Sequence, residues 1–187
     1  MKYEVVDNFL PTEFFDRLVR LFTGREIEKA HRIPWYFNSF ITSSMLQEGE
    51  LFFYMVHMFY NNNMPISSHY NELVPLLEKL KVKCLLRIKA NLYPNTTILH
   101  EHAMHTDYEY SHSGAILSLN TCDGYTKLKD GTKIDSVANR VLLFDASNEH
   151  CSSTTTNDYA RFNININYIQ EQYKEQKKGA STQTFDY

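Results

Sequence analysis

Apolar residues recur at helical spacing near the start of the chain, at Phe14, Phe15, Leu18, Leu21 and Phe22, with Asp16, Arg17 and Arg20 left for the outer face. Gly24 ends the period, and Thr12 stands before it as the N-cap. The pattern predicts a packing helix preceded by a short strand over residues 3–6. Residues 25–45 carry Pro34, Trp35 and Tyr36 and no clear period, so an irregular stretch is expected, with one short strand around residues 37–41. Residues 51–60 are densely apolar and aromatic, and Met55, Met58 and Phe59 favour a buried helix. His57 within it reads as a core or surface histidine. Asn61, Asn62, Asn63 and Pro65 break that element. Tyr70, Leu73, Leu76, Leu77 and Leu80 then predict a second packing helix over residues 67–80, kinked at Pro75.

From Val82 onward the period changes to two, and short strand-like runs separated by turn residues replace the helical pattern. Residues 84–92 place Leu86, Ile88, Ala90 and Leu92 on one face, with Arg87, Lys89, Asn91 and Tyr93 on the other. Pro94 and Asn95 turn the chain and residues 96–101 extend it. Strands are expected over residues 114–121, 124–128, 132–135, 141–144 and 160–169. The last of these alternates strictly, with Arg161, Asn163, Asn165 and Asn167 on one face. Six or seven short strands with tight turns predict a mainly β jelly roll flanked by N-terminal helices. The 187 residues are expected to form a single domain, with 1–82 as helical support, 83–169 as the sheet core and 170–187 as a polar tail.

The run His100-Glu101-His102-Ala103-Met104-His105-Thr106-Asp107 changes the picture from fold to chemistry. His105 and Asp107, two apart on an extended strand, aim at one point, and His150 follows the apolar run 141–144 as a third candidate. Two histidines and one carboxylate leave three octahedral positions open, the arrangement used by non-haem Fe(II) oxygenases. His100 and His102 are the competing pair. In an unbroken strand they face away from His105 and Asp107, and the carboxylate favours the latter pair. His112 reads as a loop residue at the mouth of the site and Arg140 as a structural or solvated residue. His-x-Asp alone arises readily by chance, but a distal histidine and an arginine on an alternating strand make the set more specific. A polar row inside a small barrel is costly without a polar ligand, and the Arg161 guanidinium can hold a carboxylate through two parallel hydrogen bonds.

His105-x-Asp107, His150 and Arg161, in this order and spacing, resemble the Fe(II)/2-oxoglutarate-dependent dioxygenases over about residues 84–169. The opening Val6-Asp7-Asn8-Phe9-Leu10 before an amphipathic helix is similar to the prolyl 4-hydroxylase-like branch. The resemblance implies a double-stranded β-helix (cupin-like) and Fe(II) held by His105, Asp107 and His150. It also implies 2-oxoglutarate held by Arg161 and Tyr93, with Asn163 beside them. The implied reaction consumes O₂, with ascorbate as an accessory reductant. It releases succinate and CO₂ and hydroxylates a C–H bond of a prolyl or other amino-acid or peptide substrate. Arg161 stands where many prolyl 4-hydroxylases have lysine, Asn163 where another branch has serine, and the gap from Tyr93 to His105 is longer than usual. These departures bear on the substrate more than on the reaction.

Composition limits the alternatives. A net charge of −3, from 19 Lys+Arg against 22 Asp+Glu, offers no electrostatic grip on nucleic acid, which disfavours an AlkB-type demethylase sharing the same triad. A non-catalytic jelly-roll binding module would have no reason to keep Arg161 opposite a metal triad. Cys84, Cys122 and Cys151 lie at no metal-like or disulfide-like spacing and read as small buried apolar residues in a reducing cytosol. No secretory h-region or apolar run long enough for a membrane span is seen, so a cytoplasmic, soluble protein is expected.

Overall fold

In the computed structural model, which describes residues 2–24, 32–38 and 53–170, two antiparallel sheets face each other in a jelly-roll-like arrangement. The chain runs β1 (Tyr3–Val6), α1 (Thr12–Thr23), β2 (Tyr36–Asn38), β3 (Tyr54–Asn61) and β4 (Met64–Pro65). A 3-10 turn (Tyr70–Leu73) and α2 (Val74–Lys79) follow, then β5 (Val82–Pro94), β6 (Ser113–Ser118), β7 (Tyr125–Leu128) and β8 (Lys133–Asp135). The last strands are β9 (Val141–Asp145), β10 (His150–Ser152) and β11 (Ala160–Gln170). The larger sheet has the order β1-β9-β6-β11-β5-β3-β2, with β4 on β3, and the smaller has the order β10-β7-β8.

The two faces of the long strands β5 and β11 meet different surroundings. Their apolar face, including Ile88, Ala90, Ile164 and Ile166, is buried in one cluster with Phe15, Leu18, Leu21 and Phe22 of α1 and with Leu76 and Leu77 of α2. Their register pairs Arg161 with Tyr93, Asn163 with Asn91, Asn165 with Lys89 and Asn167 with Arg87. The polar alternation of both strands therefore forms one continuous polar wall. The four β11 members of that wall are buried.

Several elements differ from the sequence expectation. Thr12 is the first helical residue of α1, with Pro11 at the N-cap position, and Gly24 ends the helix at φ 67° as expected. Residues 54–61 form strand β3 instead of a helix. Phe59 stacks on Phe22 at 5.4 Å on one face, and Tyr54 stacks on Tyr93 at 5.5 Å on the other. Burial on both faces removes the alternation by which a strand is recognised. The first 82 residues are thus mixed, and β3 belongs to the main sheet. The helix expected over residues 67–80 is only a 3-10 turn followed by six residues of α2, where Pro75 sits in the first turn and so starts the helix without kinking it. Residues 96–101 form no strand, and β6 stops at Ser118. The strand expected over 37–41 is present as β2, whose last residue is Asn38; positions 39–41 and the tail 171–187 lie outside the described residues. Cys122 and Cys151 are buried, whereas Cys84 is exposed. Arg140 pairs with Asp7 (Nε–Oδ1 2.6 Å), tying the turn before β9 to the N-terminal turn. Among the described residues no helix is long and apolar enough to cross a membrane.

Candidate active site

Two paired segments bring His105, Asp107 and His150 together. The segment after β5 runs antiparallel to residues 146–154, and its hydrogen bonds fix the register. His102 N–H donates to the Ser152 carbonyl at 2.8 Å, and His105 and His150 exchange two bonds of 2.9 Å. Asp107 N–H donates to the Ala146 carbonyl at 3.1 Å. His105 therefore stands three positions after His102, whereas its partner His150 stands only two positions before Ser152. This one-residue bulge re-aims the chain. It corrects the expectation that His102 faces away from His105: the His102 ring lies 5.1 Å from that of Tyr93, inside the same cavity. His102 is nevertheless outside the compact donor set. The donor atoms of His105, Asp107 and His150 all lie within 4.8 Å of one another.

The surroundings of these three side chains prepare them for a cation. His105 Nδ1 faces the Ala103 carbonyl at 3.2 Å and His150 Nδ1 faces the Asn148 carbonyl at 3.0 Å. If each Nδ1 carries the proton, each Nε2 keeps its lone pair. Burial, then the neighbouring His150, pull His105 down to about 4, and burial also lowers His150, so both rings are neutral at pH 7. Burial alone would raise the Asp107 carboxyl, but Arg87, His150 and a hydrogen bond from Asn167 hold it well below the usual carboxylate range. Arg87 Nη2 lies 2.5 Å from Asp107 Oδ1. Asn165 and Asn167 donate to Oδ2 at 3.1 and 2.8 Å, and Oδ2 is 3.8 Å from His150 Nε2. His112 is buried and is no mouth residue, contrary to expectation; its Nε2 meets Asn167 Nδ2 at 3.2 Å, behind the carboxylate.

Arg161, only 1% exposed, occupies the far end of the cavity. Its guanidinium crosses from β11 to the smaller sheet, donating to Thr126 Oγ1 at 2.9 Å and to the Ser153 carbonyl at 3.3 Å, with its carbon 5.6 Å from the Tyr93 ring centre. No carboxylate pairs with it among the described residues. Gly124 makes room for it: a Cβ there would meet the Thr154 carbonyl at 2.6 Å and Arg161 Cδ at 2.7 Å. Asn163 accepts a 2.8 Å hydrogen bond from Asn91 midway along the wall. Buried atoms of that wall, namely Asn91 Oδ1, Asn165 Oδ1, Asn167 Oδ1 and Arg161 Nε, have no hydrogen-bond partner among the described residues. Unsatisfied buried polar atoms are expensive unless a ligand meets them. The donor set fits a divalent cation, and the unpaired Arg161 Nε–H fits an anionic ligand beside it, whereas the asparagine oxygens call for hydrogen-bond donors.

Arg87, Lys89 and Asn91 share the Tyr93 face in the sequence pattern, which by itself marks no role for them. Their partnership with β11 could have been found by aligning the two polar alternations. Tyr54 was hidden by the helical reading of residues 51–60. Thr126 carries no pattern that marks it.

Two predictions follow from this geometry. Gly124→Ala is expected to lower the melting temperature, because its Cβ collides with backbone, and to weaken binding of any anion at Arg161; scanning calorimetry and an anion titration test both. The second concerns pH in the metal-free protein. Burial holds His102 near 3 as well as His105 near 4, so between those values and about 6.5 the unfolded chain binds more protons than the folded one. Stability is therefore full above pH 6.5 and falls as pH is lowered, by roughly 1.4 kcal/mol per unit for each ring. The Asp107 contribution stays intact until pH drops below the ordinary carboxylate range. Melting curves at pH 7.5 and 5.0 should differ clearly, and equal curves would contradict the burial of neutral rings.

No family model matches the sequence, and neither does any curated protein. Solved structures do match. The fold is similar to that of a Pseudomonas putida prolyl-4-hydroxylase, with a TM-score of 0.59, 13% identity, and 90% of this chain and 92% of the other covered. A 2OG-Fe(II) oxygenase family oxidoreductase from Burkholderia pseudomallei gives a TM-score of 0.62, 11% identity, and coverage of 90% and 85%. A viral collagen prolyl hydroxylase from Paramecium bursaria Chlorella virus-1, in complex with 2OG, gives 0.54, 13% identity, and coverage of 89% and 95%. At these identities the likeness is one of fold.

Proposed function

We propose that this protein is an Fe(II)- and 2-oxoglutarate-dependent dioxygenase with a double-stranded β-helix core. It hydroxylates a C–H bond of a prolyl or other amino-acid or peptide substrate and releases succinate and CO₂. The observation that carries the reading is Arg161, a buried guanidinium without an acid partner among the described residues, on the wall of the cavity that gathers the His105, Asp107 and His150 donors. A lone buried charge of this kind is explained by an anionic guest. The metal–cosubstrate pair, when bound, supplies oxidative decarboxylation and C–H oxidation.

The chain's own residues do the rest. His105 Nε2, His150 Nε2 and Asp107 Oδ2 would hold the metal, leaving positions for cosubstrate and O₂. Arg87, Asn165 and Asn167 position the Asp107 carboxylate and keep it ionised. Arg161 would pair with the far carboxylate of 2-oxoglutarate. Tyr93, whose hydroxyl is kept protonated by burial, would donate a further hydrogen bond to it. Asn163, locked to Asn91, lines the path between. His102 packs against Tyr93 and helps exclude water from that end. An accessory role for ascorbate belongs to the same proposal. The test is succinate production from 2-oxoglutarate by the Fe(II)-loaded protein, with and without a proline-containing peptide. Iron-dependent succinate is expected, rising when an accepted substrate is present; its absence under both conditions would overturn the proposal.

A further inference from the structure

Lys89 is a charged group beside the donor set that this chemistry does not use. It sits at the middle of β5, on the face shared with Arg87, Asn91 and Tyr93, in register with Asn165, which donates to Asp107. Among the described residues its ammonium hydrogen-bonds only the Tyr54 hydroxyl, at 3.4 Å, and lies 5.4 Å from the centre of the Tyr54 ring. Tyr54 is itself stacked on Tyr93, so the phenol holds the ammonium against the same wall that leads to Arg161. The sole carboxylate acting on Lys89 among the described residues is Asp107, and Arg87 already pairs with it at 2.5 Å. Lys89 is half-buried, and its side chain points from the same wall as Arg87 and Tyr93 toward Asp107.

Charge balance sharpens this. With a divalent cation on Asp107 and the dianion of 2-oxoglutarate bound, Arg161 would be neutralised, but the charges of Arg87 and Lys89 would remain in excess. A half-buried site carrying two surplus positive charges favours an anionic guest. We infer that Lys89 selects a substrate bearing a carboxylate close to the hydroxylated carbon, either on the reacting amino acid itself or on an acidic residue next to it in a peptide. The inference rests on the oxygenase reading and narrows its substrate class. It makes Lys89 a specificity-determining residue, anchoring the acid while Tyr54 holds the lysine side chain in place.

The probes are two pairs that differ only in charge: free L-proline against L-prolinamide, and N-acetylated, C-amidated Ala-Pro-Asp-Ala against Ala-Pro-Asn-Ala. Binding is read under anaerobic conditions from the paramagnetic relaxation of probe protons by Mn(II) in protein saturated with 2-oxoglutarate, so no turnover is needed. The acidic member of at least one pair is expected to bind at least about tenfold more tightly than its amide. The first pair reports a carboxylate on the reacting residue and the second an acidic neighbour. Lys89→Met should remove the preference, keep the 2-oxoglutarate affinity and melt no lower than wild type, because it removes a half-buried charge and preserves volume. Lys89→Arg should restore part of the preference. Equal binding of acid and amide in both pairs, or no acidic probe bound, would overturn the inference while leaving the oxygenase reading intact. Loss of 2-oxoglutarate affinity in Lys89→Met would instead assign Lys89 to the cosubstrate and also overturn it. Failure of wild type to bind 2-oxoglutarate would remove both readings.

Discussion

Asp107→Ala is expected to lower Fe(II) affinity at least about 1000-fold, roughly 4 kcal/mol, and to reduce succinate production to the metal-free level. Asp107 is the anion of the donor set, and the charges facing it, Arg87 and Lys89, are both positive. Without the carboxylate, two neutral imidazoles would have to hold a dication in a positively charged cavity. The substitution also strips Arg87 of its partner. Breaking a buried pair costs about 3–5 kcal/mol, and the lower end applies here because the Arg87 side chain keeps 18% of its exposure. A fall in melting temperature should therefore accompany the loss of iron. Asp107→Asn keeps the shape, removes the charge, and should lose most of the metal affinity. Calorimetric titration of Fe(II) under anaerobic conditions, alongside thermal unfolding, checks both parts. Wild-type iron affinity in Asp107→Ala would show that the metal, if any, binds elsewhere.

Arg161→Met should separate binding from stability in the opposite sense. The guanidinium is fully enclosed, hydrogen-bonded to Thr126 and Ser153, and matched by no acid among the described residues. Replacing a buried charge by an apolar side chain of similar length is often neutral or stabilising, so the melting temperature should hold or rise. Iron affinity should not move, since Arg161 touches none of the three donors. Affinity for 2-oxoglutarate should fall at least about 100-fold, the equivalent of roughly 2.7 kcal/mol. Arg161→Lys should recover part of the loss, because an ammonium keeps the charge without the bidentate fork. A variant that unfolds but still binds 2-oxoglutarate as tightly as wild type when refolded would make Arg161 a structural residue.

The contrast between what was legible in the sequence and what was not has a physical origin. Strands β5 and β11 were readable because one face meets helices and the other a polar cavity, which writes a strict alternation into the chain. That alternation also exposed Arg161 and the three asparagines as a row. Strand β3 was unreadable by the same logic: Phe59 packs on Phe22 while Tyr54 packs on Tyr93, so neither face is polar. The donors His105, Asp107 and His150 were visible as residue types at a suggestive spacing. The role of His102 was not, because a single extra residue between it and His105 reverses the facing that an ideal strand would give. Arg87 and Lys89 were placed on the correct face, yet their meaning depends on Asp107 and Tyr54, which approach from other segments of the chain.

The central claim is that one cavity binds a divalent metal through His105, Asp107 and His150 and a dicarboxylate through Arg161. Its most direct test is an anaerobic calorimetric titration of 2-oxoglutarate into the wild-type protein with and without Mn(II). The account predicts one 2-oxoglutarate bound per chain, with an affinity that depends on the metal and is lost in His105→Ala; the absence of binding to the Mn(II)-loaded wild type, or binding of equal strength without metal, would contradict it.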